Sequence, residues 1–239
     1  GTSFKIDRSY VAKLLNFDKV TDNSLDAVSD RDFACEYLFA LSLIAVHLSK
    51  LSEEIIVWSS VEFGFIKIDD IFTSGSSIMP QKRNPDCAEI IRGKSGRVFG
   101  DLTAMLTIVK GLPLAYNRDL QEDKPPVFDA TDTIKLCLEV ITDMTESLSF
   151  NKEKTIKSTE KGFLQATEIA DYLARKNIPF RTAHSIVKDI VNFCIKNNKT
   201  LDCLSLDEYN KFSSNIEKDI FEFINVNNIV NAKNSAGGT

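Results

Sequence analysis

Two short polar blocks carry the residue types that could do chemistry. The first runs Gly75-Ser76-Ser77-Ile78-Met79-Pro80-Gln81-Lys82-Arg83-Asn84-Pro85-Asp86. Ser76 and Ser77 offer hydroxyls, with no histidine beside them in sequence. Lys82 places a cation a few residues away, and a nearby cation or oriented backbone N–H groups favour an alkoxide over a neutral hydroxyl. Asn84 precedes a helix expected to open at Pro85, and helix N-termini attract anions through free N–H groups and the macrodipole. Hydroxyl, ammonium, amide and helix start could therefore converge on a carboxylate.

The second block, Tyr116-Asn117-Arg118-Asp119-Leu120-Gln121-Glu122-Asp123-Lys124, follows one helix later. Gln121 and Lys124 are three apart and share a face if the stretch is helical. With Tyr116 at the loop edge, these groups suit carboxylate or amino-acid moieties. Taken alone, each block reads first as a polar loop leading into a helix. Together they read as two sides of a site for an anionic substrate. Glu89, one turn into the intervening helix, could orient a histidine from elsewhere, although carboxylates are common at helix starts in any case. His47 lies within an apolar helix and is expected to be packed and hydrogen-bonded. His184 follows Phe180-Arg181 and is expected to be structural.

Long helices have to position these blocks. The first is expected from about Asp30 to Ser59, with Ser29 and Asp32 as a capping box. Phe33, Tyr37, Leu41, Ile44, Leu48, Leu51, Ile55 and Trp58 recur at helical spacing. Leu38, Leu43, Val46 and Ile56 widen that apolar face, which suits burial on several sides. The second helix is expected from Pro85 to Lys110, stopped by Gly111. The third spans about Asp119 to Leu148, and Pro125 and Pro126 should kink it or mark its true start.

After Phe150 the expected helices shorten: Asn151–Glu160, Thr167–Lys176, Phe180–Asn197, then pieces near 206–212 and 215–223. Ser205 with Glu208, and Ser214 with Glu217, read as capping boxes. No alternating strand run of useful length and no internal repeat is visible. The expected fold is all-α, with a long-helix bundle over residues 1–150 and a small helical domain over 151–239.

Composition narrows the function classes. The chain has 239 residues, 43% hydrophobic and 26% charged, with a formal net charge of −5. The basic residues are scattered, so nucleic-acid binding has no electrostatic footing. Five dispersed cysteines form no CxxC pair and read as free thiols in a reducing compartment. No segment is expected to cross a membrane, since Phe33 to Leu48 contains Glu36, Ser42 and His47. Neither a metal nor a cofactor is expected. The absence of an initiator Met at Gly1 suggests a processed chain or a fragment.

The first block resembles the signature loop of the fumarase/aspartase superfamily. Gln81 after the proline favours the argininosuccinate lyase family, because fumarase and aspartase versions typically carry glycine there. Asn23-Ser24-Leu25-Asp26-Ala27-Val28-Ser29-Asp30-Arg31-Asp32, the run Leu112 to Lys124, Ala170-Asp171-Tyr172-Leu173, Pro179-Phe180-Arg181-x-Ala183-His184 and the terminal Gly237-Gly238-Thr239 are similar to the same family. Arg83 for a usual lysine and Glu168 for a usual aspartate are minor departures.

The resemblance implies a β-elimination of argininosuccinate to arginine and fumarate, within arginine biosynthesis. Ser76 would be the general base. Lys82 and Asn84 would stabilise the aci-carboxylate that forms, and Glu89 would partner the family's catalytic histidine. Asn84, Tyr116, Gln121 and Lys124 would bind substrate. The family is cytoplasmic and homotetrameric, with sites where three subunits meet. This chain resembles the C-terminal half. Its bundle would be an incomplete central domain, and the Thr-His motif of the N-terminal half has no counterpart here. The chain alone is therefore expected to be inactive, and the first helix to expose apolar surface. Two alternatives are a superfamily lyase acting on another succinyl or malyl substrate, and a non-catalytic, crystallin-like relative.

Overall fold

The computed structural model describes residues 1–159 and 161–237. The expected end of a helix at Glu160 and the Gly238-Thr239 part of the terminal motif lie outside them. The chain divides into two compact units, Gly1–Phe150 and Asn151–Thr239. Among the described residues the strands are two-residue pieces, and helices carry the fold.

Unit 1 opens with two short helices, α1 (Arg8–Leu14) and α2 (Ser24–Ser29). Three long ones follow: α3 (Asp32–Ser59), α4 (Asp86–Val109) and α5 (Lys124–Glu146). The expected capping box at Ser29 and Asp32 does not form. Ser29 instead ends α2, whose N-cap is Asn23, and the Asp32 N–H is taken by the Asp30 carboxylate at 3.0 Å. Pro85 is the N-cap of α4 rather than its first residue, and Gly111 follows the helix with φ +70°. Pro125 and Pro126 mark the true start of α5, where a missing N–H costs nothing.

Side-chain pairs give the directions of the three helices. Arg31, before α3, bonds Asp123, before α5. Tyr37 bonds Thr131 at 3.0 Å about two turns further on. So α3 and α5 run parallel, and both end near the antiparallel pair β1 (Ile66–Lys67) and β4 (Ser149–Phe150). Arg97 of α4 pairs with Asp129 near the start of α5, whereas Arg92 pairs with Glu53 near the end of α3. Accordingly α4 runs antiparallel to both. Leu38, Leu41, Ile55, Ile91, Val98, Met105, Ile134 and Met144 fill the space between them.

Helix α3 buries one stripe: Ala34, Leu38, Leu41, Ser42, Ala45, Leu48, Ser52 and Ile55. This narrow seam corrects the expectation of burial on several sides. Phe33, Phe39, Leu43 and Leu51 remain exposed. By length and composition alone α3 could cross a membrane, which corrects the expectation that no segment could. A core helix of a bundle meets the same criteria, and α3 packs against α4 and α5. His47 is exposed on α3 rather than packed.

Unit 2 holds α6 (Lys152–Thr159), α7 (Ala166–Arg175), α8 (Phe180–Asn197), α9 (Leu206–Asn210), α10 (Ile220–Phe223) and α11 (Val226–Ala232). Asn177 separates α7 from α8 at φ +65°, and Asn198 caps α8 at φ +50°; short polar asparagine tolerates this left-handed region. The Ser205–Glu208 capping box is present. The Ser214–Glu217 box is not, because the Glu217 N–H bonds the Tyr172 hydroxyl at 3.1 Å and helix begins only at Ile220. Tyr172 also donates to Asp219 at 2.5 Å, tying the segment before α10 onto α7. His184 is exposed at the start of α8.

Candidate active site

The first block folds as a small hairpin. Strand β2 (Ser74–Gly75) pairs with β3 (Arg83–Asn84), with Ser74 opposite Asn84 and Gly75 opposite Arg83. This pairing delivers the chain into α4. Ser76 begins the connecting loop, and its Oγ accepts the N–H groups of Ile78 (3.2 Å) and Met79 (3.0 Å). The same serine that could abstract a proton therefore shapes the turn. A serine hydroxyl also commonly accepts backbone N–H groups in ordinary turns. The Lys82 side chain is exposed, and its backbone N–H closes the loop onto the Met79 carbonyl at 3.0 Å. Asn84 is half-buried in β3, and Glu89 is exposed in the first turn of α4. Arg83 and Asp70 form an exposed pair at 3.7 Å.

The second block is built differently. Ala115 adopts φ +73°, unusual for a residue with a Cβ, while its N–H reaches the Leu25 carbonyl at 3.0 Å. That turn presents Tyr116, half-exposed. Arg118–Asp123 then forms a 3₁₀ helix that leads into α5. Its tighter winding eclipses residues three apart, which places Gln121 and Lys124 in one row. Both are exposed, whereas Leu120 just before them is fully buried and anchors the turn.

Asp123 is the charge centre of this end. Only 7% exposed, it accepts from Arg31 Nε at one oxygen and from Lys124 Nζ at the other, each at 2.5 Å. Burial by itself would push its carboxyl up. The hydrogen bonds from Lys124 and Arg31 outweigh that and hold it below the usual carboxylate range. Arg31 is fixed in turn by the carbonyls of Val28 (3.2 Å) and Asp30 (2.6 Å). A cleft of about 450 Å³ beside these groups is lined by Arg31, Phe33, Ala34, Asp123, Lys124, Val127 and Phe128. A larger cleft, about 630 Å³, lies among Ile6, Tyr10, Val11, Leu15 and Phe17 and is lined by neither block.

The structure brings Ser76, Lys82, Asn84 and Glu89 together around the start of α4. It brings Tyr116, Gln121 and Lys124 together before α5. It does not bring the two groups to each other. They occupy opposite ends of the bundle, separated by most of α4, whose 24 residues span about 35 Å at 1.5 Å per residue. Within a single chain the two blocks therefore do not face one another. The reason is the antiparallel course of α4, which carries the chain away from the hairpin before the second block begins. Arg31 and Asp123 were missed as candidates; their pairing joins residues 92 apart, which no local pattern signals. Ala115 was missed as well, because nothing in its residue type announces a positive φ.

Comparison with known proteins adds to this geometry. A lyase family model matches residues 1–100, and an argininosuccinate lyase C-terminal model matches residues 163–231. Argininosuccinate lyase of Syntrophus aciditrophicus is 55% identical over 239 residues, which are all of this chain and 51% of that protein. Argininosuccinate lyase of Pelotomaculum thermopropionicum is 56% identical over 238 residues and 52% of its length. The chain thus spans about half the length of the curated relatives it matches. Among solved structures, EDDS lyase in complex with formate superposes with a TM-score of 0.86 at 28% identity, covering 99% of this chain and 49% of that one. A class II fumarase from Schistosoma mansoni, at 16% identity and a TM-score of 0.64 over 87% of this chain and 46% of its own, shares the fold.

Proposed function

We propose, from the premise that this chain belongs to the fumarase/aspartase superfamily, that it supplies half of the working fold of an argininosuccinate lyase. The observation that carries this reading is identity above 50% to argininosuccinate lyases across the whole chain. The reaction would break the C–N bond of argininosuccinate by β-elimination and release arginine and fumarate.

Ser76, as alkoxide, would take the proton from the carbon next to a carboxylate. The aci-carboxylate that develops carries extra negative charge. Lys82 and Asn84 would stabilise it, together with the N–H groups at the start of α4. Tyr116, Gln121 and Lys124 would bind substrate from another copy of the chain, since the two blocks sit too far apart to share one site. That fits a homotetramer with composite sites. A general acid must still protonate the departing guanidino nitrogen, and the partner histidine that Glu89 would orient has no Thr-His motif here. A reaction on small soluble metabolites and five free thiols fit a cytoplasmic setting.

The test is fumarate release from argininosuccinate. The chain alone should be inactive. Mixed with a polypeptide carrying the N-terminal half of a relative, it should gain activity that Ser76→Ala removes. No activity in an assembly that demonstrably forms would overturn the proposal, as would activity indifferent to Ser76→Ala. One observation favours a second reading, a lyase with another substrate: the EDDS lyase fold matches 99% of the chain. Fumarate release from a panel of amine-linked succinates separates the two.

A further inference from the structure

We propose that Asp123, clamped by Arg31, is a positioning residue that aims the ammonium of Lys124. The proposal rests on the reading of Lys124 as a substrate contact and assigns what fixes its direction. An ammonium has three N–H donors. Two are taken within the chain: Asp123 Oδ1 accepts one at 2.5 Å and the Leu120 carbonyl accepts another at 3.2 Å. With two donors fixed, the tetrahedral nitrogen leaves the third pointing one way only, into solvent where a substrate oxygen could bind. The Lys124 side chain remains more than half exposed, so that donor is accessible.

The fixing groups are themselves fixed. Asp123 uses its second oxygen on Arg31 Nε, and Arg31 Nη1 donates to the main-chain carbonyls of Val28, within α2, and of Asp30, just after it. Leu120, which supplies the other acceptor, is fully buried. The relay therefore runs from the backbone at Val28 and Asp30, through Arg31 and Asp123, to Lys124. A flexible lysine otherwise loses considerable rotamer freedom on binding, and pre-aiming it removes part of that cost.

The test is competitive acetylation of lysines in the whole chain, read residue by residue by mass spectrometry, with exposed Lys5 as the internal standard. Lys124 in the wild type should react roughly threefold more slowly than Lys5, the order of effect expected for a partly exposed ion pair. Asp123→Asn should close that gap, and Asp123→Glu, which returns a carboxylate, should reopen part of it. Equal reactivity of Lys124 and Lys5 in the wild type overturns the proposal even if a variant fails to fold. A gap that survives Asp123→Asn in a folded chain overturns it too. The substrate reading is tested apart, by the KM of Lys124→Met in the complemented assembly. If that KM is unchanged while the acetylation gap still closes in Asp123→Asn, the positioning holds and the substrate role falls.

Discussion

The two ends of the helical bundle in unit 1 solve opposite problems. At the Arg31–Lys124 end, charges are drawn inward: Asp123 is nearly buried, paired on both oxygens, and tied to main-chain carbonyls through Arg31. At the Ser76 end, a two-residue ladder carries an exposed loop whose tip residue Ile78 is 86% exposed. A group that recognises a substrate benefits from a fixed direction. A group that must close over the substrate benefits from a loop with few anchors, and such segments are drawn from the less stable parts of a fold. On the proposed function, this contrast fits recognition at one end and proton abstraction at the other.

The largest expected effect tests the Ser76 end. In a complemented assembly, Ser76→Ala should lower kcat by roughly 10²–10⁴-fold, the usual contribution of a general base. The thermal midpoint of the chain should scarcely move, because the hydroxyl anchors only an exposed turn. A loss of stability comparable to the loss of activity would mean that the serine is structural.

Next comes the Asp123 end, where Asp123→Asn should cost about 2–3 kcal/mol by denaturant unfolding, since it leaves the half-buried Arg31 without its counter-charge. The same bond gives a pH signature. The carboxyl of Asp123 is held below its unfolded value, so its stabilisation is fully present above about pH 4 and is lost as pH falls through the lowered value. Acid unfolding of the wild type should therefore be steeper than that of Asp123→Asn.

Between the ends, the middle of the bundle should respond with the opposite sign. Asp101 has one carboxyl oxygen buried without a hydrogen-bond partner. Burial, then the charge of Asp129, pushes its carboxyl up to about 6. Because the folded value exceeds the unfolded one, stability is lost as pH rises from about 4 to about 6. Asp101→Asn should raise the melting temperature by about 2–4 °C above that range and change little below it. The smallest effect returns to the Ser76 end. Arg83→Ala, which removes the exposed 3.7 Å pair with Asp70, should change stability by less than about 0.5 kcal/mol.

Much of this architecture was legible in the sequence, because local rules and tertiary packing agree along the long helices. Apolar spacing marked α3, Gly111 marked the end of α4, and Pro125-Pro126 offered the start of α5 as one of two readings, against a helix expected from about Asp119. Where the local rule failed, a competing partner won. Ser29 looked like the cap of α3, but a separate short helix capped by Asn23 claims it. Ser214 and Glu217 looked like a capping box, but the Tyr172 hydroxyl takes the Glu217 N–H. The site was legible as two lists of residues and not as a geometry. Residue spacing gives no sign that α4 turns back on α3, and only that reversal separates Ser76 from Lys124.

The separation of the two blocks is the claim on which the composite site depends, and a distance measures it directly. Spin labels introduced through unnatural amino acids at positions 77 and 119, diluted into unlabelled chain, can be read by double electron–electron resonance. A distribution centred at roughly 30 Å, most of the length of α4, is the expected result. A distribution centred below about 15 Å would bring both blocks into one site within a single chain and contradict the account.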